Sequence, residues 1–385
     1  LPAGGVPGMS YWEEASWKAQ DTLVGLCLCG LVSPRGPPSW RRCAWIGKSG
    51  HLCSDCCPRD PAPDKFGANP GRGMSLYCCV LQKCESSLWN VIKQDPELRD
   101  KFIPDIRMFV HNGSISMSEW NRLSHFNNPF GFMDYSHDGK NVMAALNLIP
   151  KPKNPLLPPK PGRDCISCAV VGTGGVLWKS RKGREIDSHD YVFRVNGAAI
   201  KGYEEDVGNR TDVYVHTSHS ITTSKYLLKK YNYTGGIKYV MIPEGMRDFK
   251  FAPCPWRWLL WECGGWTRFY VLHMDFLRYT RNRFLMSRAL NGKWWPIVRP
   301  TNGAFMVFLA LQLCDKVDAY GFITDEHKKY SNYYYERGAN TRVIFYANHD
   351  YYMERDLWKT LHELKVINLY QGEPVLPGDL KAKTF

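Results

Sequence analysis

Cys165-Ile-Ser-Cys-Ala-Val-Val-Gly-Thr-Gly-Gly175 joins a short apolar run to a glycine turn. The run Ala-Val-Val at 169–171 has the length and composition of a buried strand. From here to about residue 371, short apolar strands alternate with helical patterns. This alternation predicts an α/β fold, a single Rossmann-like domain with a mostly parallel central sheet flanked by helices. Ligands of such sheets bind at the carboxyl ends of the strands, where this turn lies.

The other elements of this region follow from hydrophobic periodicity and from flanking turn residues. Further strands are predicted at residues 191–195, 211–216, 238–242, 317–323 and 343–347. Helices are predicted at residues 273–290, 303–313 and 352–364. Each candidate site below lies at the end of one of these strands or at the start of a helix, so the fold could bring the sites together.

The rest of the chain divides by composition. Residues 1–75 are rich in Gly, Pro, Cys and Arg and are predicted to be irregular or disordered. Residues 76–164 form a helical lead-in that ends in a proline-rich link at 151–161. Residues 165–371 form the main domain, and 372–385 form a tail. No apolar run reaches the 18 residues of a membrane span, so any membrane anchor is expected to lie outside this sequence.

Composition limits the partners. Lys and Arg number 50 against 37 Asp and Glu, a net charge of +13 that favours anionic partners. The basic residues are scattered rather than gathered in a stripe, which argues against nucleic-acid binding. The 14 cysteines and the sequons at Asn112, Asn209 and Asn232 favour the secretory pathway. The CxxC at Cys53–Cys56 has no well-spaced second pair, and we predict no metal.

Three features carry candidate chemistry. The turn Gly172-Thr173-Gly174 can bring backbone N–H groups to a phosphate or can be purely structural. Leu177 stands where a dinucleotide fingerprint requires glycine, which disfavours a dehydrogenase. Thr301-Asn302-Gly303 precedes a helix; Thr301 or Asn302 can cap it, and its amino end favours an anion. His349 lies between a predicted strand and a predicted helix. It is either a general base or an ordinary surface histidine.

Together these features resemble the sialylmotifs of animal sialyltransferases. The large motif matches from Cys165 to Thr211 and the small motif from residue 300 to residue 322. Tyr333-Tyr-Tyr-Glu336 is similar to the third motif, and His349-Asp350 with Glu354 to the very small motif. Details near residues 319–324 and 344–350 are similar to the enzymes, types I and II, that add α2,6-linked sialic acid to the GalNAc of O-glycans. The resemblance implies a GT-A-variant glycosyltransferase domain.

The resemblance also implies function and site. It implies inverting transfer of sialic acid from CMP-sialic acid to the 6-hydroxyl of GalNAc on Ser or Thr of glycoproteins, in the Golgi lumen, from a membrane-anchored enzyme. His349 is the implied base, oriented by Asp350 or Glu354. The implied donor-binding residues are Gly172, Thr173, Gly174, Asn196, Thr301, Asn302, Gly303 and Tyr333. No cofactor is expected, and the sequence has no D-x-D triplet for a divalent ion.

Two residues depart from the family pattern, and these departures raise an alternative to the transferase function. Tyr333 replaces a histidine and Thr173 replaces an asparagine. Either Tyr333 substitutes as a hydrogen-bond donor, or a nearby Lys or Arg helps, or activity is weaker; a weak or inactive glycan-binding protein is the rival reading. Cys168 and Cys314 match the family's bridging pair. We expect Cys165 to pair with Cys84 rather than Cys78 or Cys79; Cys254 and Cys263 either pair together or stay free.

Overall fold

The structure is a computed structural model that describes residues 84–221, 236–251, 268–336, 339 and 341–372, together with two strands nearer the amino end. Those strands, β1 (Leu26–Leu31) and β2 (Ser39–Ala44), pair antiparallel within a unit formed by Leu1–Leu81. The sequence analysis did not anticipate them. The Asn232 sequon, the CxxC motif, the cysteines at 254 and 263 and the tail from residue 373 lie outside the described residues.

The second unit, Gln82–Phe385, is built on an eight-stranded sheet. Its strands are β3 (Phe109–Val110), β4 (Ser167–Val171), β5 (Tyr191–Val195), β6 (Val213–His216), β7 (Lys238–Met241), β8 (Phe269–Leu272), β9 (Lys316–Tyr320) and β10 (Asn368–Leu369). Their spatial order is β10-β9-β4-β5-β6-β7-β8-β3. All neighbours pair in parallel except β3, which is antiparallel to β8. The predicted α/β class with a mostly parallel sheet is confirmed.

Helices connect the parallel strands. They are α1 (Leu88–Gln94), α2 (Pro96–Lys101), α3 (Met117–Leu123), α4 (Gly139–Asn147), α5 (Gly183–Ser188), α6 (Glu204–Val207), α7 (Met246–Phe251), α8 (Met274–Phe284), α9 (Asn302–Leu313) and α10 (Tyr351–Glu363). Helix α9 is buried from Ala304 to Leu311 and packs across β4, β5, β6 and β9. Its all-round apolar sequence is typical of a helix enclosed by the core.

Successive side chains of β4 are buried in two different core clusters, which shows that both faces of the sheet are covered. Cys168 and Val170 are buried in the cluster that includes α9. Ala169 and Val171 are buried in a cluster on the other side, with Leu177. Because side chains of a strand point to opposite faces in turn, a fully apolar strand requires packing on both sides.

Two disulfides occur in the described part of this unit. Cys168 in β4 is bonded to Cys314, the residue that ends α9. Cys84 in the lead-in is bonded to Cys165 just before β4. The first pair is the one that the resemblance implied, and the second is the pairing expected for Cys165. The first bond ties the strand that leads into the glycine turn to the helix whose amino end faces the same side of the sheet.

Two predicted elements differ in the structure. The strand predicted at 343–347 is absent, and Ile344, Phe345 and Tyr346 are exposed. These apolar side chains make aromatic contacts instead: the Phe345 ring stacks on the Tyr352 ring with centroids 5.0 Å apart. The edge of the sheet is formed by β10. The helix predicted at 273–290 ends at Phe284, and a short 3-10 turn, Arg288–Asn291, follows. Strands β3, β8 and β10 were missed; two of them are only two residues long.

Candidate active site

A cavity of about 440 Å³ opens at the carboxyl ends of β4, β5 and β9 and at the amino end of α9. Every residue predicted for donor binding or catalysis lines it. They are Gly172, Thr173, Gly174, Asn196, Thr301, Asn302, Gly303, Tyr333 and His349. These residues are up to 177 positions apart in sequence, so the parallel sheet and its connections bring them together.

The glycine turn after β4 forms one wall of the cavity. The N–H of Gly172 donates to the carbonyl of Tyr320 at 2.7 Å, and that of Gly174 donates to the carbonyl of Gly321 at 2.9 Å. A Cβ on either glycine would lie within 2.7 Å of the Gly321 oxygen. These two glycines are therefore required by close backbone packing, and their amides are already used. Thr173 is the residue of the turn whose side chain is left to meet a ligand.

The amino end of α9 forms the opposite wall. Thr301 caps the helix, since its hydroxyl accepts the N–H of Ala304 at 3.1 Å. Asn302 is the first helical residue and does not cap. The buried carboxyl group of Glu354 accepts both the N–H of Thr301, at 2.7 Å, and its hydroxyl, at 2.6 Å. The first turn of α9 is thereby fixed, and its first two residues, Asn302 and Gly303, line the cavity.

Asn196 and Asn302 meet across the cavity floor. The Asn302 Nδ2 group donates to Asn196 Oδ1 at 3.0 Å. Asn196 has a positive φ of 53°, a left-handed conformation that asparagine tolerates better than most residues. Its backbone N–H donates to Val215 in the next strand. The pair links the end of β5 to the start of α9 and leaves the Asn196 amide nitrogen for a ligand.

Three polar atoms among the lining residues are buried without a partner. They are Asn302 Oδ1, Thr324 Oγ1 and Trp358 Nε1. Buried polar groups in native proteins are nearly always hydrogen-bonded, so water or a polar ligand has to complete these three groups. The sequence analysis missed Thr324 and Trp358, because a threonine after a strand and a tryptophan inside a helix carry no signal of their own.

His349 lies partly buried in the cavity wall. Its Nδ1 is 2.9 Å from the carbonyl oxygen of Arg299, which can only accept, so Nδ1 carries the proton and donates. Its Nε2 is left with the lone pair, 3.2 Å from the side-chain nitrogen of Asn348. Burial lowers the pKa of His349 below 6.5. The imidazole is therefore neutral at pH 7 and is oriented to accept a proton through Nε2.

Neither carboxylate that was expected to orient His349 does so. Asp350 caps α10 by accepting the N–H of Met353 and also accepts the hydroxyl of Ser287. Glu354 binds Thr301 instead. The orienting group is a backbone carbonyl, that of Arg299, and the sequence analysis missed it because any residue type supplies a carbonyl.

Tyr333 stands at the position of the third motif. Its ring stacks on Tyr335 with centroids 5.0 Å apart, and its backbone N–H donates to Glu336 at 3.0 Å. Burial raises the pKa of the Tyr333 phenol, so the hydroxyl keeps its proton and can donate a hydrogen bond at neutral pH. The phenol is neutral, so it brings no positive charge to the cavity.

One group of potential metal ligands occurs in the described part of the chain: Glu119, His273 and Asp275. Arg122 already lies between its two carboxylates, at 2.7 Å from each, and the group is remote from the cavity. The cluster is therefore a charge-compensated structural network. Asn112 and Asn209, the two sequon asparagines within the described ranges, are both exposed, as glycosylation requires.

The profile of glycosyltransferase family 29 (sialyltransferase) matches residues 109–366, about two thirds of the chain. The chain belongs to the sialyltransferase family. The match spans the cavity and includes Cys165, Cys168 and Cys314 but not Cys84. The fold and the motif positions inferred from sequence therefore agree on one family of glycosyltransferases.

Several similar sialyltransferases are named for the α2,6-sialylation of N-acetylgalactosaminides. Human alpha-N-acetylgalactosaminide alpha-2,6-sialyltransferase 1 is 40% identical over 85% of this chain and 57% of its own length. The mouse type 2 enzyme is 36% identical over 75% of this chain and 83% of its own length. This chain thus spans somewhat more than half the length of the type 1 relatives.

Solved sialyltransferases share the fold. The crystal structure of a mammalian sialyltransferase has a TM-score of 0.53 at 21% identity, covering 76% of this chain and 99% of that one. The same enzyme class was solved with Gal-beta-1-3GalNAc-ortho-nitrophenol, at a TM-score of 0.52. In the described residues of this sialyltransferase, no helix has both the length and the apolar character of a membrane span.

Proposed function

We propose that this chain transfers sialic acid from CMP-sialic acid, with inversion, to the 6-hydroxyl of GalNAc O-linked to Ser or Thr of glycoproteins. The observation that carries the proposal is the meeting, in one cavity, of the α9 amino end, the Asn196–Asn302 pair and a neutral, oriented His349. The relatives named for GalNAc α2,6-sialylation supply the acceptor and the linkage.

The donor is proposed to lie between the two walls. The N–H groups of the first turn of α9 face the phosphate, where the helix dipole favours negative charge. Asn196, Asn302 and Thr324 face the sugar and base of the nucleotide, whose hydroxyl and amino groups can satisfy the unpartnered oxygens. The phenol of Tyr333 donates a further hydrogen bond to the phosphate.

The chemical step needs one base and one anion site. As the acceptor hydroxyl attacks the anomeric carbon, Nε2 of His349 takes its proton and the bond from carbon to the phosphate oxygen breaks. The negative charge that develops on CMP is stabilised by the α9 amino end, which is fixed before reaction by Thr301 and Glu354. A single displacement inverts the anomeric centre. We propose that the reaction uses no metal ion, since this leaving group is met by helix N–H groups and a phenol.

We further propose that the catalytic unit works in the lumen of the Golgi apparatus, on a protein anchored in the membrane by a segment outside this sequence. Two disulfides in the described residues support an oxidising compartment. The exposed sequons at Asn112 and Asn209 agree with it.

An acceptor panel with linkage analysis tests the function. Purified protein is incubated with CMP-sialic acid labelled in the sugar and with peptides that carry GalNAc or Gal-GalNAc on threonine, with a Gal-GlcNAc glycan as the control acceptor. We expect label on the GalNAc peptides, in α2,6 linkage, and none on the control. Correctly folded protein that binds CMP but labels no acceptor would overturn the proposal and favour a glycan-binding protein.

A further inference from the structure

The segment that precedes α9 is tied to the loop that carries His349 by two hydrogen bonds of the Arg299 backbone. The N–H of Arg299 donates to the carbonyl of Asn348 at 2.9 Å, and its own carbonyl accepts Nδ1–H of His349 at 2.9 Å. The Nδ1 side of the imidazole is thus anchored on one residue, Arg299.

The side chain of Arg299 is held in turn from the sheet. Its Nε donates to Glu244 Oε1 at 3.1 Å, and its Nη1 donates to the carbonyl of Ile297 at 3.3 Å. Glu244 lies three residues beyond the end of β7, and both ion-pair partners are mostly buried, at 23% and 19% side-chain exposure. The pair lines the donor cavity and also an adjoining cavity of about 480 Å³.

We propose that Glu244 is a positioning residue for His349, acting through the Arg299 side chain and the Arg299 carbonyl. The chain of contacts runs from Glu244, beyond the end of β7, to the base in two hydrogen bonds, one to the Arg299 side chain and one from His349 to the Arg299 carbonyl. This inference concerns how the base is held. Only its kinetic readout rests on the proposed function.

The alternative is that the ion pair merely stabilises the fold. A partly buried pair is weak grounds for stability, because the desolvation of both charges offsets their attraction. The specific consequence of a positioning role is different: loss of Glu244 should change the tautomer of His349. A structural role would leave the tautomer unchanged.

Electrostatics gives the direction of any change in the pKa of His349. The negative charge of Glu244 raises the pKa of His349, and the positive charge of Arg299 lowers it. Other ionisable groups around His349 are Asp350 next in sequence, Glu354 from α10, and His219 and His327 on the same cavity wall. Tyr351, whose ring is 5.7 Å away, has a pKa raised to about 12 by burial and stays neutral. All of these remain in the variants compared below.

The test measures His349 itself by nitrogen-detected NMR, with its signals assigned by their loss in His349→Ala. In the unaltered protein we expect one neutral tautomer, protonated at Nδ1. Glu244→Ala should give a mixture of tautomers and a lower pKa. Glu244→Gln, which keeps an oxygen to accept Arg299 Nε–H, should keep the tautomer and lower the pKa. Glu119→Gln, which weakens a comparable pair with Arg107 and Arg122 remote from the cavity, should change neither.

Kinetics gives the second readout. We expect Glu244→Ala to reduce kcat about 10- to 100-fold with the KM for CMP-sialic acid within about twofold, since a small misplacement of a reacting group has such a cost. Glu244→Gln should restore most of kcat. An unchanged tautomer in Glu244→Ala would overturn the inference whatever the pKa and the activity. Absence of transfer by the unaltered protein, with the expected NMR pattern, would instead overturn only the proposed function.

Discussion

The hydroxyl of Thr301 caps α9 and is bonded at the same time to Glu354 Oε2 at 2.6 Å. A second bond joins the Thr301 N–H to the other oxygen of the same carboxyl group. Glu354 is buried in α10, and no arginine or lysine is paired with it in the described residues. The carboxyl group therefore supports the amino end of the helix that is proposed to face the donor phosphate, and it does so in a site that disfavours charge.

This arrangement predicts a pH-dependent stability. Burial raises the pKa of Glu354 to about 7, against 4.5 in an unfolded chain. Below pH 4.5 the group is protonated in both states. Between pH 4.5 and 7 only the unfolded chain releases the proton, so the free energy of unfolding falls as pH rises through this window, by on the order of 3 kcal/mol.

Glu354→Gln should remove this fall. The amide keeps both contacts, because its oxygen accepts the Thr301 N–H and its nitrogen donates to the hydroxyl. Denaturant unfolding at pH 5 and pH 7.5 should show a smaller loss of stability in Glu354→Gln than in the unaltered protein. Glu354→Ala, which loses both contacts, should be destabilised at both pH values. Parallel pH profiles for the unaltered protein and the glutamine variant would contradict the assignment.

His349→Ala should separate binding from chemistry. Removal of the base is expected to reduce transfer by about 10²- to 10⁴-fold. The affinity for CMP, measured by calorimetry, should change less than threefold, because the proposed contacts to the nucleotide come from the α9 amino end and Asn196. His137→Ala, at an exposed position away from the cavity, is the matched control. Retained turnover in the His349 variant would exclude it as the base.

The pH profile of the unaltered enzyme should agree with this role. Only the neutral imidazole accepts a proton, and burial lowers the pKa of His349 below 6.5. Transfer should therefore decline on the acid side at a pH lower than 6.5, with the loss growing as the pH falls. An acid limb centred clearly above pH 6.5 would mean that another group controls the reaction.

Whether a site residue could be predicted from the sequence depends on which chemical group it contributes to the site. Thr301 and His349 were found because their side chains suit a cap or a proton transfer at the end of an element, whereas Asn196 was found only through the resemblance to the sialylmotifs. Arg299 contributes a carbonyl, and Glu244 reaches the site only through Arg299, so neither has a local signature. Thr324 was missed for the same reason.

The limits of the fold prediction were also physical. Long apolar strands such as β4 and β5 were identified, whereas two-residue strands such as β10 carry too little periodicity. The segment at 343–347 has a strand-like composition, yet its aromatic residues pack on the side chains of α10 instead of entering the sheet. The composition of residues 343–347 indicates that their side chains make apolar contacts, but it does not indicate whether the partner is the sheet or a helix.

Tyr333 can be tested by removing one atom. Tyr333→Phe keeps the stack on Tyr335 and loses the phenol proton donor. If the phenol stabilises the leaving phosphate, kcat should fall by about 10²-fold, as when one donor to a developing charge is removed, with little change in KM. Tyr335→Phe, in the same stack, serves as the control. Equal activities of the two variants would show that the Tyr333 phenol does not stabilise the leaving phosphate, which would then be stabilised by the α9 amino end.

The Cys168–Cys314 bond can be tested through folding. It closes a loop across 146 positions and holds β4 against the carboxyl end of α9. On the chain-entropy account, its loss costs about 4 to 5 kcal/mol. We expect Cys168→Ser and Cys314→Ser each to reduce secretion of folded protein severely, as measured by the ratio of secreted to total protein.

The double variant Cys168→Ala/Cys314→Ala distinguishes loss of the bond from the effect of an unpaired thiol. Loss of the bond predicts that the double variant is as poorly secreted as the single ones, because the unfolded chain regains the same freedom. It also predicts that any material recovered has a lower affinity for CMP, since the glycine turn after β4 and the amino end of α9 form opposite walls of the donor cavity. Normal secretion and CMP affinity in the double variant would show that packing of α9 on the sheet is enough to align those walls.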